Sequence, residues 1–543
     1  MKRVLVTSFG GRRLAAASLA LALQLADANS AAAAAAPAAR PDSVEALRAA
    51  RRQAADRSRR VIFNNDGNEP VYLCKTTAPE ELLSYRTAPL AGTHVDAIFY
   101  CTWSSGFGLF THGTKVGYVF STREGLFSRN LAPEMLAAGT DPLRVMVDFG
   151  RKHRVEVFWS FRLNDTHDGS TADYGPIMFR ANPLKREHPE WLIGTPQQKP
   201  KFGAWSAVDF ARPEIRDLAF RYVEEVCRNY DVDGVEIDFF RHPVFFKRAA
   251  QAGTECNDEE RAAMSGLIER IRAMTEAEGL RRGRPILVAV RVPDSVAYCR
   301  AIGLDLPRWL EAGWVDLLMT GGYFRLNDHA TSVALGRKHG VKVYPSLDES
   351  RVRDPDARKL RSTTAAYRGR ALEAWAAGVD GVYLFNSFNP KDPIWRELGD
   401  PAGLAAAPHD YFASVLGVGA AAGGALPHAS FQQIPRLNPA APLPLKPGTT
   451  ETARFVAGNR PANRGMAVTL RLQFNRPAAA GTVTVTLNDS AVAVSRSEGQ
   501  WIECTVSPEQ MRTGPNAVAV TLAPAAPPLA WTDLQCQVRP ATP

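Results

Sequence analysis

The sequence lacks the cysteine pairs that a zinc framework needs. Its seven cysteines (Cys74, Cys101, Cys227, Cys256, Cys299, Cys504 and Cys536) form no CxxC clip. Beyond residue 25 no apolar run is long enough to cross a bilayer. A glycine-rich phosphate loop is missing after the first strand-like run, which leads into Asn64-Asn65-Asp66-Gly67-Asn68. Charge of one sign is also scarce over most of the 543 residues. The net charge is +9, but the first 60 residues hold eleven Lys+Arg against four Asp+Glu, so the other 483 carry only +2. These absences argue against zinc fingers, membrane bundles, dinucleotide-binding folds and nucleic-acid binders, and no cofactor or metal is implied.

What is present begins with an export pattern. Lys2, Arg3, Arg12 and Arg13 precede an apolar run over 14–25, and Ala26-Asp27-Ala28 offers an A-x-A cleavage site. Residues 1–28 therefore read as a bacterial signal peptide, with a secreted or periplasmic destination. Residues 29–60, rich in Ala and Pro and then in Arg, read as a flexible linker, either a tether or a frayed helix. Cys504 and Cys536 both fall in expected strands and are either bridged or two buried thiols. An odd cysteine count leaves at least one unpaired.

From 61 to 415, short apolar strands alternate with amphipathic helices. Strands are expected at 61–64, 95–102, 155–162, 232–239, 286–292, 315–320, 341–346 and 379–385. Helices are expected at 142–153, 213–229, 258–279, 329–339 and 362–377, several starting just after Asp or Pro. Eight such units predict a closed (β/α)₈ TIM barrel, with an open doubly wound sheet as the alternative. Long loops after the early strands carry Trp103, His112, His167, Trp191, Trp205 and His242. The tryptophans either stack on sugar rings at the rim or pack the loops down; the histidines read as polar surface. Small residues open a linker over 416–430. Period-two alternation at 467–474, 481–487, 501–506, 516–522 and 533–539 then predicts a β-sandwich accessory domain over 431–543.

Two acids interrupt the fourth strand, VDGVEIDFFRHP. With Val235, Ile237 and Phe239 facing the helices, Glu236 and Asp238 face the interior. The same parity turns Arg162 inward on the third strand, with Asn164 just beyond, and Arg291 on the fifth. On the seventh it turns Tyr344, Ser346 and then Asp348 inward. Buried unpaired charge costs several kcal/mol per ion, so these groups are expected either to serve a polar ligand in an open, sugar-sized cavity or to satisfy one another. Paired carboxyls beside arginines suit glycosidic bond hydrolysis, in which one carboxyl protonates the leaving oxygen and the other acts as nucleophile or base.

Asp233-Gly234-Val235-Glu236-Ile237-Asp238, followed by Arg241-His242-Pro243, resembles the fourth-strand signature of the family-10-like bacterial glycosyl hydrolases. The opening Val61-Ile62-Phe63-Asn64-Asn65-Asp66-Gly67 is similar to theirs as well. The resemblance implies a TIM barrel acting on glycans. The stretch also resembles the chitinase pattern DGxDxDxE at Asp233, Gly234 and Asp238, but Glu236 replaces one aspartate and Phe240 stands where the catalytic glutamate belongs.

The expected site is therefore Asp238 as general acid/base, Asp348 as the opposing carboxylate and Glu236 as the tuning group. Arg162, Asn164, Arg241, Arg291, Asp66, Trp103, Tyr323 and Glu349 are expected to bind substrate, with Arg325 and Asn386 at further strand ends. The expected partner is a poly- or oligosaccharide, acidic glycans included, with no nucleic acid. A non-catalytic glycan-binding barrel is the alternative. A barrel lyase or aldolase fits less well, because no lysine sits inward at a strand end. Asn164-Asp165-Thr166-His167-Asp168-Gly169 has the look of a calcium loop, but Gly175 stands where a bidentate Glu is required.

Overall fold

The computed structural model describes residues 40–348, 351–415, 424–434, 436–461, 465–479 and 481–541. The expected signal peptide and Glu349 lie outside them. Pro41–Pro543 forms one compact unit. Among the described residues no helix is long and apolar enough to cross a membrane.

Eight parallel strands build the barrel: β1 (Val61–Asn65), β2 (Val95–Tyr100), β3 (Glu156–Arg162), β4 (Gly234–Asp238), β5 (Leu287–Val292), β6 (Leu317–Thr320), β7 (Lys342–Pro345) and β8 (Val382–Leu384). Their order is 8-1-2-3-4-5-6-7. The ring closes between β7 and β8 through a Ser346–Tyr383 bridge, where the Leu347 N–H donates to the Tyr383 carbonyl at 2.8 Å. The helices start where their caps say. Asp141 accepts from the Leu143 and Arg144 amides ahead of Pro142–His153, and Asn257 with Glu260 forms a capping box before Asp258–Arg282.

The first half of the β4 signature proves structural. The Asp233 carboxylate accepts the Val157 N–H at 2.9 Å and pairs with Arg151 and Arg284 at 2.9 and 3.0 Å, fastening the start of β4 to its neighbours. A Cβ on Gly234 would sit 2.2 Å from the Phe158 ring. Its absence lets Phe158 stack on Phe99 at 4.4 Å across the barrel floor.

The stretch expected as a flexible linker holds a helix, Val44–Ala55, capped by Ser43. Leu47 is buried, Arg48 and Arg51 reach Glu276 at 2.9 Å, and Arg59 is buried against Glu156. The Ala, Pro and Arg composition left tether and frayed helix open, because the partners that dock the helix lie more than 90 residues away in sequence.

The carboxyl-terminal strands are antiparallel: β9 (His409–Phe412), β10 (Leu443–Leu445), β11 (Thr450–Ala457), β12 (Met466–Phe474), β13 (Val483–Leu487), β14 (Ser490–Glu498), β15 (Trp501–Val506), β16 (Gly514–Leu522) and β17 (Leu529–Pro540). β14 pairs with β13 at its start and with β15 further on, so the sheet folds into two layers. Alternate residues of β12 and β16 are buried, giving each layer one apolar face. Period two alone missed β9, β10, β11 and β14, the last of which is almost wholly exposed. All seven cysteines are free and buried. Leu470 on β12 pairs with both Cys504 and Cys536. A whole strand therefore separates them, about 10 Å, beyond disulfide reach.

The sandwich is seated firmly on the barrel. β9 precedes the expected linker yet joins the sandwich by pairing with β17. Gly369 lets the helix Thr364–Ala376 close on β9, since a Cβ there would lie 1.9 Å from the Asp410 carbonyl oxygen. Past the undescribed 416–423, the linker returns over the barrel: the Tyr298 hydroxyl donates to the Leu426 carbonyl at 2.8 Å and His428 stacks on Phe324 at 4.2 Å. Arg361 and Asp533 form a sealed bidentate pair at 2.7 and 2.6 Å. Burial still pushes the Asp533 carboxyl up, against Arg361. Asp533→Asn strands the buried Arg361 charge and is expected to cost about 3–5 kcal/mol, read by urea melts at neutral pH.

Candidate active site

Strand register sets two rows of side chains across the barrel. Ser160, Glu236 and Ala289 are neighbours in the lower row, and Arg162, Asp238 and Arg291 in the upper, nearer the carboxyl ends. Asp348, two residues past Ser346, joins from the β7 end. Arg291 holds the acids together. Its Nη2 donates to Asp348 Oδ2 at 3.1 Å and its Nη1 lies 3.5 Å from Asp238 Oδ2. Asp238 Oδ1 accepts the amides of Phe240 and Arg241 at 2.8 and 3.1 Å, which turns the chain out of β4. Glu236 Oε2 accepts from the Ser160 hydroxyl and from Tyr383 at 3.1 Å. Asp348 Oδ1 accepts from the Ser346 hydroxyl.

Sequence parity thus brings Glu236, Asp238, Arg291 and Asp348 together, but not in an open cavity. All four side chains are fully covered. The roof is aromatic: Phe385 lies 4.1 Å and Phe240 5.9 Å from the Arg291 guanidinium, and Tyr323 packs against both rings. Burial, reinforced by Asp238, pushes the Glu236 carboxyl up. Burial raises Asp348 too, against the pull of Arg291. For Arg291 the sign is reversed. Burial disfavours its charge, but Asp238 and Asp348 outweigh this and raise it.

The cluster is not self-satisfied. Glu236 Oε1 and Arg291 Nε are buried without a hydrogen-bond partner, and Asp238 Oδ2 and Arg291 Nη1 face each other as an ion pair that makes no hydrogen bond. Each unpartnered atom costs on the order of 1–3 kcal/mol, so their concentration around three acids marks a place built for a polar group.

One layer above, the mouth holds an accessible cavity of about 150 Å³. Asp66, Arg162, Arg241, Trp103, Tyr72 and Tyr174 line it, and Leu126, an exposed large apolar residue, stands at its edge. Arg162 pairs with Asp66 and lies 3.8 Å from the buried Asp165. Burial opposes ionisation of Asp66, but Arg162 and then Arg241 hold its carboxyl below the ordinary range. Asp165 is held well below it, the burial cost outweighed by His167, His242 and Arg162. Arg241 donates through Nη1 to the Tyr323 hydroxyl and through Nη2 to His167 Nε2 at 2.9 Å. That leaves His167 Nδ1 to donate to Asp165 at 2.8 Å.

Several expected residues serve elsewhere. Asn164 spends its amide on the Val208 and Val244 carbonyls and the Val208 N–H, clamping two loops. Arg291 lies under the roof, and Arg241 takes its place in the mouth. Arg325 turns away onto Glu373 at 2.7 Å. Trp191 stacks on His188 and Trp205 packs on Phe179. His112 is buried against Thr102 Oγ1, and burial pushes it down to about 4. His167 and His242 are not polar surface either, since one lines the mouth and the other is buried beside it. Tyr72, Ser105, Tyr174 and Met178 carry no signal in the sequence, because loops far apart in sequence bring them to the mouth.

Asp165, His167 and His242 bring ligand atoms within 4.8 Å of one another. They do not suit a cation. His167 Nδ1 donates to Asp165, His242 Nδ1 accepts the Thr166 amide at 3.0 Å, and two guanidiniums stand 3.8 Å from Asp165 Oδ2.

This mouth and most of its acids fall in a recognisable segment. Residues 86–266 match the family model described as Glycosyl hydrolase-like 10. It is the family that the fourth-strand signature resembles. The glycosyl hydrolase-like segment contains Trp103, Arg162, Glu236, Asp238 and Arg241; Asp66, Arg291 and Asp348 lie outside it. No curated protein matches the sequence. Among solved structures, the PgaB (BpsB) glycoside hydrolase domain of Bordetella bronchiseptica is similar at 12% identity and TM-score 0.39, over 63% of this chain and 98% of that one. A family 18 N-acetylglucosaminidase of Paenibacillus barengoltzii is similar at 12% identity and TM-score 0.35, over 64% and 99%. The GH36 alpha-galactosidase AgaA of Geobacillus stearothermophilus is similar at 11% identity and TM-score 0.36, over 90% of this chain; the chain spans 56% of that protein's length.

The raised Glu236 carboxyl gives a testable pH dependence. With a folded value above the unfolded one, its contribution is fully favourable below the unfolded value, near 4, and is lost as pH rises through the folded value. Glu236→Gln removes that loss. The melting temperature of the variant relative to the native protein is expected to climb steadily between about pH 4 and 8. A difference that stays flat across the range would show that Glu236 does not titrate abnormally.

Proposed function

We propose that this protein is an exported glycoside hydrolase that cleaves a poly- or oligosaccharide by carboxylate acid/base catalysis. The observation that carries the reading is the set of buried polar atoms without a hydrogen bond on Glu236, Asp238 and Arg291, beside Asp348, at the carboxyl-terminal mouth of the barrel. Asp238 acts as general acid/base and Asp348 as the opposing carboxylate, with Glu236 as a positioning group. Burial favours a proton on Glu236 and on Asp348, which keeps three acids from all being ionised around the single Arg291. The glycan enters from the mouth cavity and reaches the acids when Tyr323 moves off the Phe240 and Phe385 rings. Export rests on the basic, apolar and A-x-A pattern of residues 1–28.

A second reading, a glycan-binding barrel without turnover, is favoured by the complete burial of the acids. Incubating the full chain with a panel of neutral and acidic polysaccharides, and measuring new reducing ends alongside binding, separates the two. Release of reducing ends is expected. Binding without release would move the assignment to the second reading.

A further inference from the structure

The mouth cavity carries a chemical preference of its own. Three of its lining side chains, Trp103, Arg162 and Arg241, are 6%, 2% and 9% exposed, and each keeps one N–H without an acceptor: Trp103 Nε1, Arg162 Nε and Arg241 Nε. The remaining nitrogens of both guanidiniums are taken. Arg162 uses Nη2 on Asp66 and points Nη1 at the Trp103 carbonyl at 3.4 Å. Arg241 uses Nη1 on Tyr323 and Nη2 on His167. Both arginines are thus anchored, with one edge left over.

The third donor is held in place at the cost of backbone strain. Thr102, Trp103 and Ser104 have φ of 46°, 70° and 38°, a run of three non-glycine residues in the left-handed region. Side chains lock the run. Thr102 Oγ1 accepts from Trp159 Nε1 at 2.9 Å, Ser104 Oγ accepts the Arg162 N–H at 3.1 Å, and the Trp103 N–H donates to the Asp66 carbonyl at 2.9 Å. The Trp103 ring is wedged between Tyr72 and Phe120.

We infer that this cavity is a subsite for a carboxylate-bearing sugar, a uronic acid unit of the glycan. This deepens the hydrolase reading and rests on it. Three donors short of acceptors, all on side chains that line this cavity and two of them cationic, call for an acceptor that donates nothing back. A planar carboxylate supplies up to four lone-pair positions, whereas a hydroxymethyl group brings a donor of its own into a site short of acceptors. Asp66 shares the wall and is matched by Arg162, while the buried Asp165, 3.8 Å from both guanidiniums, takes its hydrogen bonds from Ser105, Gly106 and His167. The half-buried Tyr72 and Tyr174 rings supply apolar surface for the sugar's C–H faces.

The test uses the full-length protein and two pairs of probes: methyl glucuronide against methyl glucoside, and methyl galacturonide against methyl galactoside. Within each pair only the carboxylate differs. By calorimetry or ligand-observed NMR at low salt, at least one uronide is expected to bind about tenfold more tightly than its neutral partner. Arg241→Gln should abolish that ratio by weakening the uronide far more than its neutral partner, and Trp103→Phe, which keeps a ring but loses the N–H, should lower the ratio severalfold. Trp103→Phe also covers the case in which Arg241→Gln does not fold. Equal binding of acidic and neutral sugars, no binding of either uronide, or an Arg241→Gln loss shared by both overturns the subsite. If neutral polysaccharides are still cleaved, the hydrolase reading stands without it; if no glycan is bound or cleaved, both fall.

Discussion

Arg291→Met is expected to unfold much of the protein at neutral pH. Arg291 is the shared partner of Asp238 and Asp348, with Glu236 one row below, and no solvent reaches any of them. Removing one member of a buried ion pair costs about 3–5 kcal/mol, because the remaining charge is stranded. Here two carboxylates are stranded by a single change. Methionine fills a similar volume, so the loss reports charge rather than packing. The direction of rescue follows from the acids. Without the guanidinium the Asp348 carboxyl, already raised by burial, rises further, so stability returns as pH falls toward the unfolded value near 4. Urea melts at about pH 5 and pH 8 should show a deficit that shrinks on the acid side. Arg291→Lys is expected to rescue only in part, since one ammonium cannot reproduce the two-nitrogen bridge between the acids. A Met variant as stable as the native protein at neutral pH would mean the cluster bears little net charge.

Asp238→Asn addresses chemistry rather than stability. The amide oxygen can still accept the Phe240 and Arg241 N–H groups that turn the chain out of β4. Arg291 keeps Asp348. The variant is therefore expected to fold, with a modest drop in melting temperature. Its turnover should fall by about 10²–10⁴-fold, the usual worth of a positioned acid or base. Reducing-end assays on whichever polysaccharide the native protein cleaves best provide the reading. Asp348→Asn should cost a similar factor, and the double variant little more than either alone, because the two carboxyls work on one bond. Turnover within about threefold of native in Asp238→Asn would remove it from the chemistry.

The β4 signature divides into two roles that its spelling does not separate. Asp233 and Gly234 hold the strand to its neighbours and make room for Phe158. Glu236 and Asp238 supply the acids, and Phe240 and Arg241 become roof and mouth. Strand parity found the inward acids because side chains alternate with period two whatever surrounds them. It could not tell that Asn164 would be spent on the Val208 and Val244 backbone, since those partners arrive from loops 44 and 80 residues away.

The sequence alone determined the eight-strand barrel, the antiparallel sandwich, the caps and ends of the long helices, and which acids turn inward. Each of these is local: alternation, helix-start chemistry, and the row that a residue occupies on its own strand. Only the tertiary structure decided that one arginine bridges Asp238 and Asp348, and that Phe240, Tyr323 and Phe385 close over them. It alone set the reachable cavity a layer higher, between Trp103, Arg162 and Arg241, and docked the helix Val44–Ala55 on the barrel. Exposure is a property of what other segments leave uncovered, and those segments meet only when the ring closes.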